Sequence, residues 1–595
     1  MRKRPLVAVG SAAAVALLAT AFQGGAAASP AEDVPGPDNG AAMSDDRPDA
    51  VHAERRALNQ QAVEMVVSGE AEVRQRGGSK AVRVAPGQWA QYGLQSSDNI
   101  LTFLVEFGDQ LDARYTDLPA GPSHNTIPEP DRTVDNSTYW TADFNRAHFM
   151  DLMFGTDGES FKDLYEEMSS GRYTVDGDVS EWVEVPFHEA SYGQTENQTD
   201  MTRFIQDSAN AWYAAEKAAG KTDEEIKAYL AEFDQWDRYD YDRDGNFTEP
   251  DGYIDHFQAV HAGEDQSAGA PSWAIWAHRW SVGQRGRGVE GPSFNKFGGV
   301  QIGDTGMWIR DYTTEPENGG LGVFAHEYAH DLGLPDLYDT AGGENGTGFW
   351  TLMSSGSWMG HGDGAIGTTP NHMGAWEKLQ LGWLDYEVAR TGVESTHRLG
   401  ASYHATRNPQ AVIVELPDDA AGNARYYLAE YRQYFGEYES TLRDGPYNFG
   451  WGLSRPDWVE HFPYQDGLLV TYWNTAQRNN NTSTHPGEGL VLPVDARPAA
   501  LRWSDGELAR NRIQTFDATF GLDATDPISL EREIQAGMTE LVLPSRPAVP
   551  VFDDTDPLAY YDAANPRGSV KVAGSGTHIR VVQTNSQGIT TIQVY

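Results

Sequence analysis

The 595-residue chain contains no cysteine. No disulfide can staple it, so its stability has to come from large cores and bound ions. The same absence excludes thiolate catalysis, and it excludes a thiolate as the group that blocks a metal in a latent form. Positive charge is scarce: 44 Lys and Arg stand against 87 Asp and Glu, a formal net charge of −43. That balance argues against nucleic acid or an anionic membrane as partners and suits carboxylate clusters for Ca²⁺. Beyond the N-terminal region no run of 18 apolar residues occurs, so no membrane anchor is expected and the mature chain should be soluble. Gly-x-Ser-x-Gly and Gly-x-x-x-x-Gly-Lys are both missing, which removes a serine nucleophile elbow and a phosphate loop.

What is present begins with an export signal: Arg2, Lys3 and Arg4, an apolar run from Leu6 to Phe22, and Ala26-Ala27-Ala28 as the cleavage site. This predicts a signal peptide over 1–28 and a secreted protein. Residues 29–50, rich in Pro, Ala, Gly and Asp, predict a disordered linker. A helix-spaced stretch from Arg55 to Val67 follows, and Ile100 to Phe107 predicts a buried strand. A boundary near 97 makes 29–97 a linker and propeptide. From 98 to 394 strands and helices alternate, including helices over 160–168, 200–219, 223–236 (capped by Thr222 with Glu225) and 370–381 (entered through Pro370). From 395 to 595 short strands separated by Gly, Pro and Asn predict an all-β, sandwich-like region, with Ser569–Val572 and His578–Val582 as a strand pair. The fold class expected is multidomain, an α+β catalytic domain followed by C-terminal β-structure.

The most informative stretch is His326-Glu327-Tyr328-Ala329-His330. Residues four apart share a helix face, so His326 and His330 can bind one Zn²⁺, and Glu327 can take a proton from the water it activates. Two protein ligands are too few for a catalytic zinc. Gly333 can turn the chain back, placing Asp336 where the extended motif carries its third ligand. Asp339 and Glu344 compete for that role. Three fixed residues in five recur by chance, but the apolar approach, the Gly and the third donor together do not. Met353, among small polar residues between Trp350 and Trp358, predicts a tight Met-turn beneath the metal.

A second constellation is Asp240, Asp242, Asp244, Gly245, Asn246 and Asp251. It matches positions 1, 3, 5, 6, 7 and 12 of a Ca²⁺ loop, with Asn246 offering its backbone carbonyl. Asp237 and Asp255 could complete the shell, and the ion's role would be structural. His278 lies among aromatics and reads as a hydrogen-bonded core histidine. His361 and His372 read as exposed loop residues, and Glu315 and Glu317 as surface charges. Tyr438, Tyr447, Trp451 and Trp458 could line a glycan site, although core packing explains them as well.

The blocks 326–336 and 350–358 resemble the immune inhibitor A-type secreted metallopeptidases of bacteria. So do Asp251–Asp255 with His261–Gly263, Leu104–Phe107 and, more loosely, Leu428–Gln433 and Gly467–Val470. The resemblance covers roughly 98–475; residues 500–595 match nothing that can be named. It implies a secreted endopeptidase made as a zymogen, with a propeptide, a zincin catalytic domain and C-terminal β-domains. It carries over His326 and His330 as zinc ligands and Glu327 as the general base, whereas Asp336 rests on spacing. The function expected is zinc-dependent hydrolysis of extracellular proteins or peptides. A zinc hydrolase acting on a small amide or ester, and an inert binding protein, are the alternatives; an intact Glu327 speaks against the second.

Overall fold

The computed structural model describes residues 44–595 except for 95–96, 133–134, 136, 157, 194–197, 284–286, 294, 361–365, 403–406, 435–463 and 535–536. The signal segment, His361 and the aromatics at 438, 447, 451 and 458 lie outside the described residues.

The first described unit is helix α1 (Ala50–Val67) followed by a meander of β1 (Arg74–Arg76), β2 (Ser79–Ala85) and β3 (Gln88–Gln91). Asp49 caps α1 by accepting the Val51 N–H. Ala62, Val82 and Ala90 form the small core between helix and meander.

The central sheet runs β5-β4-β6-β10-β7, made of β4 (Ser97–Gln110), β5 (Thr174–Phe187), β6 (His256–His261), β7 (His278–Ser281) and β10 (Asp311–Pro316). Its pairs are parallel except for β7 on β10, which is antiparallel. A two-strand ribbon, β8 (Val300–Gln301) and β9 (Trp308–Ile309), lies beside it. On one face pack α2 (Arg146–Phe154), α3 (Phe161–Met168) and α6 (Leu321–Leu332), in a core with Leu104, Phe324, Tyr328 and Met353. The other face carries α4 (Gln198–Ala218) and α5 (Asp223–Leu230), packed on Phe103, Phe107 and Phe257. Every residue of β4 from Ile100 to Val105 is buried, as its unbroken apolar run requires of a central parallel strand.

Two helices are shorter than their patterns predict. The Thr222–Glu225 capping box is present, but α5 ends at Leu230, because Asp255 accepts the N–H groups of Gln235 and Trp236. Helix α7 (Ala375–Gln380) begins after Gly374 and not at Pro370, because the Asn371 N–H is committed to Gly356 O and its side chain to Phe349 O.

Beyond α7 the chain is β-rich. One sheet runs β11-β13-β14-β15-β16, with β11 (Tyr386–Arg390), β13 (Ala411–Glu415), β14 (Arg425–Arg432), β15 (Gly467–Asn474) and β16 (Val491–Pro493). A second runs β12-β21-β20-β19, with β12 (Ser395–Leu399), β19 (Val551–Asp553), β20 (His578–Thr584) and β21 (Thr590–Val594). They share one core of Val412, Tyr427, Val470, Phe552, Ile579 and Ile592, so they pack face to face. A hairpin of β17 (Ile528–Ile534) and β18 (Gly537–Leu543) and the single turn α8 (Asn511–Gln514) sit against Trp350 and Tyr464. Ser569–Val572 forms no strand; β20 pairs instead with β19 and β21, and the Val570 and Val572 N–H groups bond to Tyr560 O and Pro557 O. β11, on the catalytic side of the expected boundary at 395, pairs with β13.

Candidate metal centre

Helix α6 is buried on every side, with all its residues inward except Val323. Such a helix needs exact ends and close neighbours. Gly322 provides one: a Cβ there would lie 1.7 Å from Ser357 O. Gly333 provides the other, at φ +113°, where its N–H bonds to His330 O at 2.9 Å and the Leu334 N–H bonds to Ala329 O at 3.0 Å. The chain then reverses and brings Asp336 back over the helix.

His326 Nδ1 lies 2.8 Å from Leu352 O and His330 Nδ1 2.8 Å from Leu334 O. Both Nδ1–H groups therefore donate to carbonyls, leaving both Nε2 atoms free to face one point, 3.1 Å apart. Asp336 Oδ1 lies 3.5 Å from His326 Nε2 and 3.1 Å from His330 Nε2. The spacing-based third donor thus reaches the point that the histidines face. Its competitors are engaged elsewhere. Asp339 accepts the N–H groups of Ala341 and Ser483, and Glu344 pairs with Arg510 and accepts the Asn511 N–H. The Met353 loop runs beneath the helix: Met353 is fully buried and its carbonyl accepts the Leu337 N–H at 2.8 Å.

A fourth donor comes from the segment expected to be a disordered linker. Asp45 Oδ1 lies 3.0 Å from His330 Nε2 and 3.6 Å from His326 Nε2, and one ligand atom from each of Asp45, His326, His330 and Asp336 falls within 4.8 Å of all the others. Residues 45–47 bridge Arg279 of β7 in parallel: the Arg47 N–H bonds to Arg279 O and the Arg279 N–H to Asp45 O, both at 2.9 Å. The ordering thus comes from a single bridge to β7, and Ser44 Oγ donates to Asp336 Oδ2 at 2.5 Å. Nothing local in Ser-Asp-Asp-Arg-Pro announces this; composition speaks only of the isolated chain.

The four donors set each other's charge. Burial pushes the Asp45 carboxyl up, but His326 and His330 outweigh it and hold the group well below the usual carboxylate range. Burial lowers His326, and Asp45 and Asp336 raise it to about 10. Glu327, fully buried, is pushed well above its ordinary value by burial and then by Asp45. Its Oε2 finds no hydrogen-bond partner among the described residues. Glu327, His326, Asp45 and Tyr338 line a cavity of about 140 Å³ with Val323, Trp276 and Trp358. Tyr338 is buried, and its phenol is held well above its usual range by burial and the surrounding carboxylates, so the hydroxyl keeps its hydrogen.

An ionic network anchors the far end of α6. Asp331 lies 2.6 Å from His256 Nδ1 and 3.1 Å from Arg238, and the other His256 nitrogen lies 3.3 Å from Asp98. Arg279 and Arg310 both reach Asp311, at 2.5 and 2.6 Å, and Arg310 also reaches Asp49 at 2.7 Å. Arg55 donates to the Asp331 and Leu332 carbonyls at the C-terminus of α6. Residues before 97 are therefore wired into the centre.

Two glutamates expected on the surface are fully buried. β10 is an inner strand, paired with β6 on one edge and β7 on the other, buried along its length and packed against α6, which takes Glu315 inside. Glu317, just beyond it, accepts the Asn125 and Gly263 N–H groups at 3.1 Å. His372 is buried too, 3.8 Å from Glu167. His278 is the core histidine expected, held by Trp276 O and the Tyr312 hydroxyl.

In the acidic loop, Asp240, Asp242 and Asp244 converge, and Asp242 also meets Asp237 and Glu249. Asp251 does not join them; it accepts the Tyr253 N–H and the Asn295 side-chain amide. Asp255 is likewise spent on the backbone at 235–236. The Asn246 side chain accepts the Gly78 N–H and donates to Glu249, and Arg76 bonds to Asp244 O. The loop thus docks on the β1–β2 turn.

A buried glutamate beside a ready-made cradle of imidazole and carboxylate donors, at the wall of a cleft, is the arrangement of a metallopeptidase. Comparison with known proteins agrees. The sequence profile described as immune inhibitor A peptidase M6, catalytic domain, matches residues 87–384, and that described as immune inhibitor A-like metallopeptidase, VEG domain, matches 421–593, so the stretch from 500 on, expected to match nothing that can be named, falls in a domain of the same family. The chain belongs to the immune inhibitor A peptidase M6 family. It is 35% identical over 356 residues to immune inhibitor A of Bacillus thuringiensis subsp. alesti, a match covering 56% of this chain and 48% of that protein. It is 32% identical over 351 residues to the pre-pro-metalloprotease PrtV of Vibrio cholerae serotype O1 (strain M66-2), covering 55% of this chain and 35% of that one. The chain thus matches about half or less of the length of these curated relatives. No helix among the described residues is long and apolar enough to cross a membrane.

Proposed function

We propose that the protein is a zinc-dependent endopeptidase of zincin type, exported and held latent by its own N-terminal segment, with proteins or peptides outside the cell as substrates. The observation that carries this reading is the convergence of His326 Nε2, His330 Nε2 and Asp336 Oδ1 on one buried point beside Glu327 at the cleft wall. The donor set fits Zn²⁺: two imidazoles whose Nδ1 atoms are oriented by carbonyls, and two carboxylates, Asp336 and Asp45, facing the same point. When bound there, zinc supplies Lewis-acid polarisation of the scissile carbonyl and a lowered pKa for an attacking water.

The chain's own residues do the rest. His326, His330 and Asp336 would hold the ion, with the turn at Met353 fixing the backbone beneath them. Glu327 takes the proton of the attacking water at its carboxylate and delivers it to the leaving amine. Its burial favours the protonated form once it has accepted that proton. Asp45 faces the same point as these donors, so residues 44–47 would have to leave before a substrate carbonyl could enter. The name of the V. cholerae relative, a pre-pro-metalloprotease, supports a latent precursor. The leader over residues 1–28 supports export. Asp240, Asp242 and Asp244, with Asp237 and Glu249, would hold a structural Ca²⁺.

The test is digestion of denatured casein by the purified, processed, zinc-loaded protein, before and after chelation. Internal cleavage that chelation abolishes and Zn²⁺ restores is the expected result. Hydrolysis of small esters or amides without cleavage of casein would replace this reading with a non-peptidase hydrolase.

A further inference from the structure

Asp336 has few restraints of its own. Apart from the two imidazoles it faces, the only group bonded to its carboxylate among the described residues is the Ser44 hydroxyl. Ser44 belongs to the segment that has to leave. What then sets the third donor is its backbone. A carboxylate ligand sits about 2.0–2.2 Å from zinc, so a small drift of that backbone would take the oxygen out of reach.

The backbone is clamped on both sides of Asp336. The clamp before it is local: the Leu334 N–H bonds to Ala329 O, and Leu334 O accepts from His330 Nδ1, both within the turn that ends α6. The clamp after it is not. The Leu337 N–H bonds to Met353 O at 2.8 Å, and Leu337 O accepts the side-chain amides of Asn345 at 3.0 Å and Asn480 at 2.9 Å. Asn480 lies 143 residues further on, in the β-rich region. It is fully buried and is itself fixed by the first residue of β16: its amide donates to Val491 O at 2.7 Å, and its side-chain oxygen accepts the Val491 N–H at 2.9 Å.

Its neighbours repeat the pattern along the same loop. The Asn481 side chain accepts the Thr340 N–H at 3.0 Å, the Ser483 N–H bonds to Asp339 at 2.7 Å, and the Thr482 hydroxyl bonds to Glu344 O at 3.2 Å. Residues 337–344 are thus stitched to residues 480–483. Gly343 lets the two segments meet, since a Cβ there would lie 2.7 Å from Ser483 Cβ.

We propose that Asn480 is a positioning residue of the metal centre: it holds Leu337 O and so fixes the backbone from which Asp336 reaches the ion. The β-rich region is then a working part of the site and not an appended module. The proposal rests on the zinc reading above. A packing role alone would tie the two regions together and leave zinc affinity untouched, whereas a positioning role acts on affinity, and only through Asp336.

The test is the zinc dissociation constant of the full-length chain, measured by competition with a chromogenic chelator. Asn480→Ala should weaken binding by about 10-fold or more, the lower end of what groups behind a metal ligand contribute. The same substitution in an Asp336→Ala background should change nothing, because the residue it acts through is gone. Asp45 and the two histidines keep zinc binding measurable in that background. An unchanged constant for Asn480→Ala alone overturns the proposal. So does an equal loss in both backgrounds, which is what mere disruption of the region would produce. If Asn480→Ala does not fold, Asn480→Asp takes its place: it keeps the volume and an oxygen for the Val491 N–H, and it removes the donor to Leu337 O. The same two comparisons decide it. If the unsubstituted chain binds no zinc, the zinc reading fails and this proposal with it; if it binds and the Asn480 variant binds as tightly, only the role of Asn480 fails.

Discussion

The Asp45 carboxylate and the His330 imidazole are 285 residues apart in the chain and 3.0 Å apart in space. That contact puts the segment before the first helix inside the metal centre. A carboxylate tethered to its own target competes at an effective concentration on the order of millimolar. Asp45→Ala should therefore raise the activity of the unprocessed chain by about 10-fold or more, while the processed form is unchanged. Peptide cleavage measured before and after removal of the N-terminal segment checks this; an unprocessed Asp45→Ala chain as silent as the parent would dismiss the latch.

Glu327→Gln keeps the shape of the side chain and removes its basicity. Turnover should fall by about 10²–10⁴-fold, the range that positioned acid–base groups contribute. Zinc content should stay at the parent level, because Glu327 is not among the converging donors. Steady-state rates on casein, paired with elemental analysis, decide it; substantial casein cleavage by the variant would remove Glu327 from the mechanism.

Asp49 caps α1 and pairs with Arg310 at 2.7 Å, with both side chains buried. Removing one member strands the other charge, which costs about 3–5 kcal/mol for a buried pair. Asp49→Ala should lower the denaturation midpoint of the unprocessed chain accordingly. A change near zero in chemical denaturation would show that solvent reaches Arg310.

Glu317 predicts a pH effect. Burial pushes its carboxyl up from 4.5 to about 7, against the two N–H groups it accepts. The folded chain therefore holds this proton where the unfolded chain has lost it. By linkage, this group's contribution to stability falls as pH rises from 4.5 to about 7 and is flat below that window. Glu317→Gln should flatten that part of a melting temperature-against-pH curve. Parallel curves for parent and variant would place the dependence on another group.

The loop at Asp240, Asp242 and Asp244 grips the β1–β2 turn through Arg76 and Gly78. Calcium at a hundredfold excess over its dissociation constant adds about 2.7 kcal/mol. The melting temperature of a zinc-saturated sample should rise by about 2 °C with Ca²⁺, and Asp242→Ala should abolish the rise. A sample indifferent to Ca²⁺ would leave the loop as a hydrogen-bonded turn.

Where the chain uses local geometry, its pattern is legible in one dimension. Helical spacing of four set His326 and His330 on one face, a glycine ended the helix, and the fixed length of the reversal brought Asp336 to the same point. The apolar run at 100–105 became a strand buried along its length, and the capping box at Thr222 formed. The limits of α5 and α7 were not local. Asp255 and Asn371 end them with bonds that leave the helix pattern untouched.

The acidic loop shows the same division. Its first three aspartates converge because alternation along a turn is a local property, whereas Asp251 leaves them because Asn295 and Tyr253 claim its oxygens. Glu315 and Glu317 resemble surface charges until β10 takes an inner place in the sheet and α6 packs on it. By itself, the sequence determined the donor helix, its turn and three of the four converging donors, since these depend on residues within about three turns of one another. Only the tertiary structure decided what stands across from them. Asp45 arrives by bridging to β7, and the Leu337 carbonyl, just after Asp336, accepts the Asn480 side-chain amide from the β-rich region. Contacts that span hundreds of residues carry no periodicity, so no local pattern encodes them.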